Sequence, residues 1–312
     1  MPLPELPPRA EVLDALKYAV APAAGAAAVV FGGAALVGGL ARLRWRQAMP
    51  AVAAVAVLAG LVAGNLGRGA LPWVPDAKWW QWGWWAILLG AAAEFAARCV
   101  GPAVAHLIRA AAVGIVAAAV IPTDWQTELV WKPSEDAVGF RWAVPLFVAA
   151  TAGMWGIVVE VGRRSPGSAT LATVIVACGT TAVLLHQSWL SGADAATFLL
   201  ASVTAVTVLG LLTRQDGSGA AGAAVLPVAV LLVIGRGLIS DPTAPNAVPK
   251  GCSLLVGLAP LGLGLFLLPG LNRLPTRRFG AVLPVAAVLL AVAAAVGWAM
   301  SVAPLKFGEE SW

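Results

Sequence analysis

One stretch of the sequence decides the fold: WVPDAKWWQWGWW from Trp73 to Trp85, continued by AILLGAAAEFAARCVG from Ala86 to Gly101. Six of the chain's fourteen tryptophans lie in the first thirteen of these residues. Tryptophan favours the headgroup level of a bilayer, because its ring is apolar while its N–H needs a hydrogen-bond partner. We therefore predict that the apolar run after this segment is a membrane-spanning helix that enters lipid at Trp82.

The composition of the whole chain agrees with a membrane protein. Of its 312 residues, 60% are hydrophobic and 11% are charged, whereas soluble domains are about 25% charged. Lipid is as apolar as leucine, so a helix bundle can expose such a surface to it. The net charge of +5 is small, and no basic run is long enough to indicate a nucleic-acid partner. Membrane lipid is the predicted partner.

We predict an all-α integral membrane bundle of about ten transmembrane helices. A crossing needs about 20 apolar residues. Residues 1–17 are expected to form an extended or interfacial segment, 18–302 the bundle, and 303–312 a short outer tail. The predicted spans are Tyr18–Leu40, Ala48–Leu66, Trp82–Ala97, Pro102–Ile121, Trp142–Gly162, Ser168–Leu190, Ala193–Leu212, Gly219–Ile239, Cys252–Leu271 and Phe279–Val302.

The distribution of charge predicts the orientation of the bundle. Ten spans place the connections alternately on two sides, and one side receives eleven basic and three acidic residues. The other side receives nine basic and twelve acidic residues. An excess of cations on short connections marks the cytoplasm. We therefore predict that both termini are periplasmic. The wealth of Ala, Gly, Val and Arg is typical of a GC-rich bacterial gene, so the bacterial cytoplasmic (inner) membrane is the expected location.

Charged side chains within spans are the first candidates for a functional site, because burying them in lipid is costly. Glu94 lies on a helix face of small residues, with Arg98 at the i+4 spacing that favours an ion pair. Glu160 is expected to repeat this pattern beside a second small-residue stripe of Ala149, Gly153 and Gly156. Five side chains form the predicted inner-leaflet polar cluster: Glu94, Arg98, His106, Arg109 and Glu160. Ion pairing near the interface is the favoured interpretation, and a proton or anion site is the alternative.

The tryptophans provide a second candidate site. Twelve of the fourteen fall at or near the predicted outer face, and an interfacial belt is the favoured interpretation. The alternative is an outer aromatic platform for a sugar, a lipid headgroup or a protein partner. The members of that platform are Trp79, Trp80, Trp82, Trp84 and Trp85.

Further patterns concern helix packing and a polar seam. Gly60 and Gly64 form a GxxxG spacing, which lets helix backbones approach closely, and Pro260 predicts a kink or a break in the ninth span. Hydroxyl groups line the sixth and seventh spans. We expect them to bond to backbone within the bundle, with a solute path as the alternative. The seam consists of Thr173, Thr180, Thr181, His186, Thr197, Ser202, Thr204 and Thr207.

Motifs for known chemistries are not found in the sequence. HExxH, a GxSxG with suitable partners, and GxxxxGK[ST] do not occur. Cys99, Cys178 and Cys252 lack CxxC spacing and nearby histidines, so neither a disulfide framework nor a zinc site is indicated. They are expected to pack as small apolar residues. No catalytic, cofactor-binding or metal-binding residue and no cofactor is predicted.

Three functions fit these observations. A multi-pass membrane protein that is transporter-like, or an accessory membrane component, is the favoured interpretation. The first alternative is a membrane enzyme that acts on a lipid-linked substrate at the outer face, although the missing motifs weigh against an enzyme. The second is a structural or interaction protein that uses the tryptophan-rich outer face. A small molecule or a lipid-linked compound is the expected ligand, and no feature indicates a particular protein partner.

Overall fold

The computed structural model describes residues 13–14, 16–40, 47–68, 82–120, 137–187, 190–235, 248–268 and 282–303. Within these ranges the regular elements are helices, and no strand occurs. A π-helical turn, Leu16–Val20, leads into the first helix. The helices are α1 Ala21–Leu40, α2 Met49–Gly67, α3 Trp82–Arg98, α4 Pro102–Val120, α5 Ala137–Arg164, α6 Pro166–His186, α7 Leu190–Thr213, α8 Ser218–Ile234, α9 Lys250–Leu258, α10 Leu261–Gly264 and α11 Val282–Val302.

Seven helices among the described residues are long and apolar enough to cross a membrane, by length and composition. The all-α architecture is therefore confirmed for this part of the chain, and its apolar helices suit a membrane bundle. The seven are Leu16–Gly38, Met49–Gly67, Pro145–Arg164, Pro166–His186, Gly192–Thr213, Lys250–Leu267 and Val282–Val302, and two shorter apolar helices are Pro102–Ala117 and Ser218–Ile234. Large apolar side chains also point outward, as Leu212 and Leu290 do at 75% and 71% exposure.

Helix α8 lies at the centre of the bundle. Each of its residues except Val233 is buried, and it packs against α2, α3, α4, α5, α6, α7 and α9. Its first half consists almost entirely of Ser, Gly and Ala, so neighbouring backbones approach closely. A Cβ atom added at Gly219 would overlap the Pro50 carbonyl oxygen, and one at Gly162 would meet the Ser218 side chain.

Contacts between helix termini define two ends of the bundle. At the end that we call the Arg98 end, Glu94 near the end of α3 meets Arg109 in the first half of α4 and Gly222 in the first half of α8. At the opposite Lys250 end, His186 of α6 contacts the Ala303 carbonyl oxygen, and Gln187 contacts Ser253 of α9. The Lys250 end also holds an ion pair at 2.8 Å between Arg68 and Asp194, which joins α2 to α7.

The α-helical hydrogen-bond ladder is interrupted at Ala259 and Pro260, between α9 and α10. Ala259 and Pro260 keep right-handed helical dihedral angles. The hydrogen bonds there tighten to i→i−3, from the Ala259 N–H to Val256 and from the Leu263 N–H to Pro260. The interruption lies where the sequence predicted a kink or a break, because proline supplies no N–H for the α-helical ladder.

Two of the packing predictions differ in outcome. Gly60 and Gly64 are buried, and Cβ atoms there would collide with Ser202 and Phe198 of α7, so the GxxxG spacing serves close packing as predicted. The second small-residue stripe is wrong as a packing face: Ala149 and Gly153 are exposed, and nothing lies within 4 Å of a Cβ added at Gly153 or Gly156. Helix α5 instead buries the side that carries Met154, Trp155, Val158 and Val159.

The cysteine prediction holds for one residue of the three. Cys252 is buried and packs in the core, whereas Cys99 and Cys178 are exposed. A thiol is small, so its burial depends on which helix face meets a neighbour and not on its own size. The exposed pair therefore does not act as core packing.

Candidate functional site

The carboxylate of Glu94 is the centre of the most highly connected polar site that the structure describes. Glu94 lies one turn from the end of α3 and is fully buried. Its Oε1 accepts a hydrogen bond from Arg98 Nε at 2.6 Å. Its Oε2 accepts bonds from Arg109 Nε at 2.7 Å and from Trp155 Nε1 at 2.9 Å. Three helices, α3, α4 and α5, thus supply donors to a single acid. We call these four residues the Glu94 centre.

Small residues make room for this carboxylate. Gly90 and Ala91 precede Glu94 on the buried face of α3. Across the interface, a Cβ atom added at Gly222 of α8 would lie 2.5 Å from Glu94 Cδ. The carboxylate therefore presses directly on the α8 backbone, which only glycine permits at this distance. Trp155 is 0% exposed and closes the site from α5.

The Glu94 centre holds more positive than negative charge. Two guanidinium groups surround one carboxylate, and the side chains of Arg98 and Arg109 are 12% and 4% exposed. Both arginines use Nε toward Glu94. Arg98 Nη2 and Arg109 Nη1 are buried and have no partner among the described residues. An unpaired charged donor in such a place is costly.

The predicted polar cluster therefore divides into separate parts. Glu94, Arg98 and Arg109 come together as predicted. Glu94 pairs with Arg98 at the i+4 spacing and also with Arg109 of the fourth predicted span. His106 is exposed on α4 and is not part of this network. Glu160 forms its own surface pairs, to Arg164 at 2.9 Å and to Arg163 at 3.5 Å, with its side chain 38% exposed.

Two members of the site were not identified from the sequence. Trp155 stands apart from the other tryptophans because it lies within a span, where its N–H cannot reach water or headgroups. That position was a usable signal that a polar partner must lie nearby. Gly222 gave no such signal, since it is one of many small residues in α8. Only the assembled bundle brings it against Glu94.

The polar seam of α6 and α7 is satisfied within each helix. Thr173, Thr180 and Thr181 donate to carbonyl oxygens four residues earlier, at 2.8 to 3.0 Å. Thr197, Ser202 and Thr207 do the same at 2.7 Å. These six hydroxyls therefore bond to their own backbone, as the sequence favoured. Thr173 lines a cavity of about 20 Å³ and Thr207 lines one of about 30 Å³.

A lateral cleft opens between α5, α8 and α9 near the Lys250 end. Its volume is about 490 Å³, within the range of small-ligand sites. The wall is almost entirely apolar, and Lys250, Ser253 and Thr151 supply its polar side chains. Leu146 and Leu254 flank it and are 63% and 60% exposed. The lining residues are Leu146, Phe147, Ala150, Thr151, Met154, Ala229, Leu232, Val233, Lys250, Ser253, Leu254, Gly257 and Leu258.

Polar groups gather at the Lys250 end of this cleft. Gln187 Nε2 donates to Ser253 Oγ at 3.0 Å, so the Ser253 oxygen is an acceptor and its own proton points elsewhere. Gln187 is 7% exposed, and its Oε1 has no partner among the described residues. Lys250 is exposed at the first turn of α9. The cleft thus has an apolar body and a polar, cationic end.

A smaller cavity of about 20 Å³ continues from the cleft toward the middle of the bundle. The two share Met154, Ala229 and Gly257. This volume holds about one water molecule. Its lining contains Pro260 and no charged residue, so the cleft and the Glu94 centre are separate sites in the described structure.

The aromatic platform lies largely outside the described residues. Trp79 and Trp80 fall outside them, as do the side chains of Trp82 and Trp84. Trp85 is 45% exposed on α3, which suits a belt and a platform equally. The platform therefore stays a prediction. No group of three or more metal-ligating side chains occurs in the described part of the chain.

Comparison with known proteins gives no relative for this chain. No protein-family model, no curated protein and no solved structure matches it. The evidence on function therefore comes from the Glu94 centre and the lateral cleft.

Proposed function

We propose that this chain is a ten-span protein of the bacterial inner membrane that binds an anionic amphiphile in the lateral cleft, as a transporter-like or accessory membrane component. The observation that carries the proposal is the cleft itself, with its apolar wall between α5, α8 and α9 and Lys250 at one end. An acyl chain fits the wall, and a negatively charged headgroup would add to the interactions that Lys250 already makes. Burial of apolar surface and a single ion pair would then act together.

The exposed residues around the cleft indicate how a ligand enters. Leu146 and Leu254 flank the opening with most of their side chains exposed. In a bilayer such residues face acyl chains, so an amphiphile reaches the cleft sideways from the lipid. Lys250 lies at the first turn of α9, where a headgroup at the membrane interface is within reach of its flexible stem.

The ten-span topology is supported by the pairing of helix ends. At the Arg98 end, contacts join the end of α3 with the starts of α2, α4 and α8. At the Lys250 end, contacts join the starts of α7 and α9 with the ends of α2, α6 and α11. Ten antiparallel crossings would place these ends of the eight helices on the same two sides. The inner assignment of the Arg98 end rests on the excess of arginine at that side.

The composition of the cleft favours binding over catalysis. Among the described residues of its lining no Asp, Glu, His or Cys occurs, and these are the commonest general acids and bases of enzymes. An enzyme that acts on a lipid-linked substrate is the second candidate, because the same cleft suits the lipid part of such a substrate. It requires catalytic groups from residues outside the described ranges.

Retention of lipid by purified variants tests this proposal. Native mass spectrometry would compare the binding of phosphatidylglycerol and phosphatidylcholine of equal chain length. We expect Ala150→Phe, which fills the cleft, to reduce retention of both lipids. Lys250→Gln should lower only the preference for phosphatidylglycerol, by about fivefold, which corresponds to about 1 kcal/mol for one basic residue near a headgroup.

Lys17→Gln is the matched control for the charge change. Lys17 is exposed near the same end of the bundle and stands over the Tyr18 ring, away from the cleft. It should leave the lipid preference unchanged. Equal effects of the two lysine variants, or full lipid retention by Ala150→Phe, would refute binding in the cleft.

A further inference from the structure

The Glu94 centre carries an uncompensated positive charge. Arg98 and Arg109 contribute two positive charges, and Glu94 contributes one negative charge. Among the described elements around the carboxylate, α3 and α4 supply the charges, α5 supplies neutral Trp155, and α8 supplies Gly222. The site therefore holds a net charge of +1 in a buried position, where an isolated charge is strongly unfavourable.

The other described acids are engaged or distant. Glu160 pairs with Arg163 and Arg164, Asp194 pairs with Arg68 at the Lys250 end, and Asp216 accepts the Ser218 N–H at the start of α8. Asp14 is exposed before the first helix. None of the acids in the described ranges therefore balances the second arginine of the Glu94 centre.

Both arginines of the Glu94 centre keep N–H groups that have no hydrogen-bond partner among the described residues. Arg98 Nη2 and Arg109 Nη1 are both buried without a partner among the described residues. The two guanidinium groups are held close together, because each is anchored by Nε to one oxygen of the same carboxylate. Guanidinium N–H groups favour anionic acceptors. The positive charge of the site and its unpaired N–H donors both favour an anionic ligand.

We propose that the Glu94 centre binds a monovalent anion through Arg98 and Arg109. A single negative charge neutralises the site, and it accepts hydrogen bonds from the free guanidinium N–H groups. Two sources have this chemistry. A free anion such as chloride is one source, and the phosphodiester of a membrane lipid is the other, since Arg98 lies at the last residue of α3 next to the exposed Cys99.

Anion-dependent thermal stability tests this proposal. The delipidated protein in neutral detergent would be titrated with chloride in exchange for gluconate at constant ionic strength. Wild type should gain Tm in a saturable way, by several degrees at an anion concentration far above Kd. In a second arm, nanodiscs of phosphatidylglycerol and of phosphatidylcholine would be compared in gluconate. A Tm gain with chloride identifies a free anion, and a gain only with phosphatidylglycerol identifies the lipid phosphodiester.

Substitutions locate the effect. Arg98→Gln leaves Glu94 paired with Arg109 and makes the site neutral, so the anion response should disappear. Arg98→Lys keeps the charge but removes the guanidinium, so half-saturation should move to higher anion concentration. Arg164→Gln is the control, because it removes an arginine from a surface pair at the same end of the bundle, and its response should equal that of wild type.

Two results would overturn the proposal. One is a wild-type Tm that responds neither to chloride nor to phosphatidylglycerol, a measurement that needs no variant to fold. The other is a response that survives unchanged in Arg98→Gln. Lys250 is intact in all three variants, so the cleft contributes the same phosphatidylglycerol response to each of them. The lipid arm is therefore measured with Lys250→Gln as the common background, which removes the charge preference of the cleft and leaves the response of the Glu94 centre.

Discussion

Replacing Glu94 with glutamine should destabilise the bundle strongly, and most of the loss should come from Arg109 and not from Arg98. The amide has one acceptor oxygen and one NH₂ donor, whereas the carboxylate receives donors at both oxygens. Whichever way the amide turns, its NH₂ group faces at least one N–H group. Removing one partner from a buried ion pair costs about 3–5 kcal/mol, and we expect a loss in this range.

The loss of stability in Glu94→Gln should come mainly from the bond with Arg109 and only slightly from the bond with Arg98. Glu94 and Arg98 belong to the same helix, and α3 persists when membrane helices separate, so their i,i+4 pair survives in the dissociated state. Arg109 and Trp155 come from α4 and α5 and bond to Glu94 only after assembly. We expect a coupling free energy of about 2–3 kcal/mol for Glu94 with Arg109, within the range for contacting residues. The coupling with Arg98 should be at most about 0.5 kcal/mol.

Double-mutant cycles in reversible detergent unfolding measure these couplings. The single variants are Glu94→Gln, Arg98→Gln and Arg109→Gln. The double variants combine Glu94→Gln with each of the two arginine substitutions. Glu160→Gln is the control, since its pairs with Arg163 and Arg164 are exposed and should contribute less than about 1 kcal/mol. If the Glu94–Arg98 coupling equals or exceeds the Glu94–Arg109 coupling, the reasoning from helix assembly is wrong. A simple pair with Arg98 would also predict that Glu94→Gln with Arg98→Gln recovers most of the stability, and the structure predicts only a small recovery.

Two further predictions concern packing and topology. Gly222→Val should destabilise the bundle by about 1–3 kcal/mol, because the new Cβ atom would overlap the Glu94 carboxylate. The control is Gly114→Val, which has open space around it and should change the stability by less than about 1 kcal/mol. Equal losses in the two variants would contradict the close contact at Gly222. Alkaline phosphatase fused after Trp312 should be active and a fusion after Arg278 should be inactive, because both termini are predicted to be periplasmic. The reverse pattern would show that the predicted orientation of the bundle is wrong.

The sequence was informative about the Glu94 centre up to a definite limit. Helical spacing placed Glu94 on a small-residue face and Arg98 one turn away, and both features occur in the structure. Local spacing has no information about which helix faces which, so it predicted a packed small-residue face at Glu160 as well as at Glu94. Glu160 does pair with Arg163 and Arg164, but on the surface. His106 is exposed on α4 and outside the network, because its direction around the helix axis depends on the neighbours of α4.

The lateral cleft had no counterpart in the sequence analysis. Its lining comes from three helices distant in the chain, and its residues are mostly ordinary apolar ones. A cleft is a property of imperfect contact between helices, and no single segment encodes it. Gln187 and Ser253 meet across 66 positions of sequence, so their partnership was likewise not predictable from local pattern.

The sequence by itself determined that the chain forms apolar helices, and where most of them lie along the chain, because hydrophobic length and proline or glycine punctuation act within one segment. It also determined that a buried acid lies near the end of α3. Only the tertiary structure decided that Arg109, Trp155 and Gly222 surround this acid, that α8 is central, and that α5, α8 and α9 leave a cleft. Lipid is apolar on every side of a helix, so hydrophobicity fixes insertion but not rotation, and rotation is set by packing and hydrogen bonding between helices.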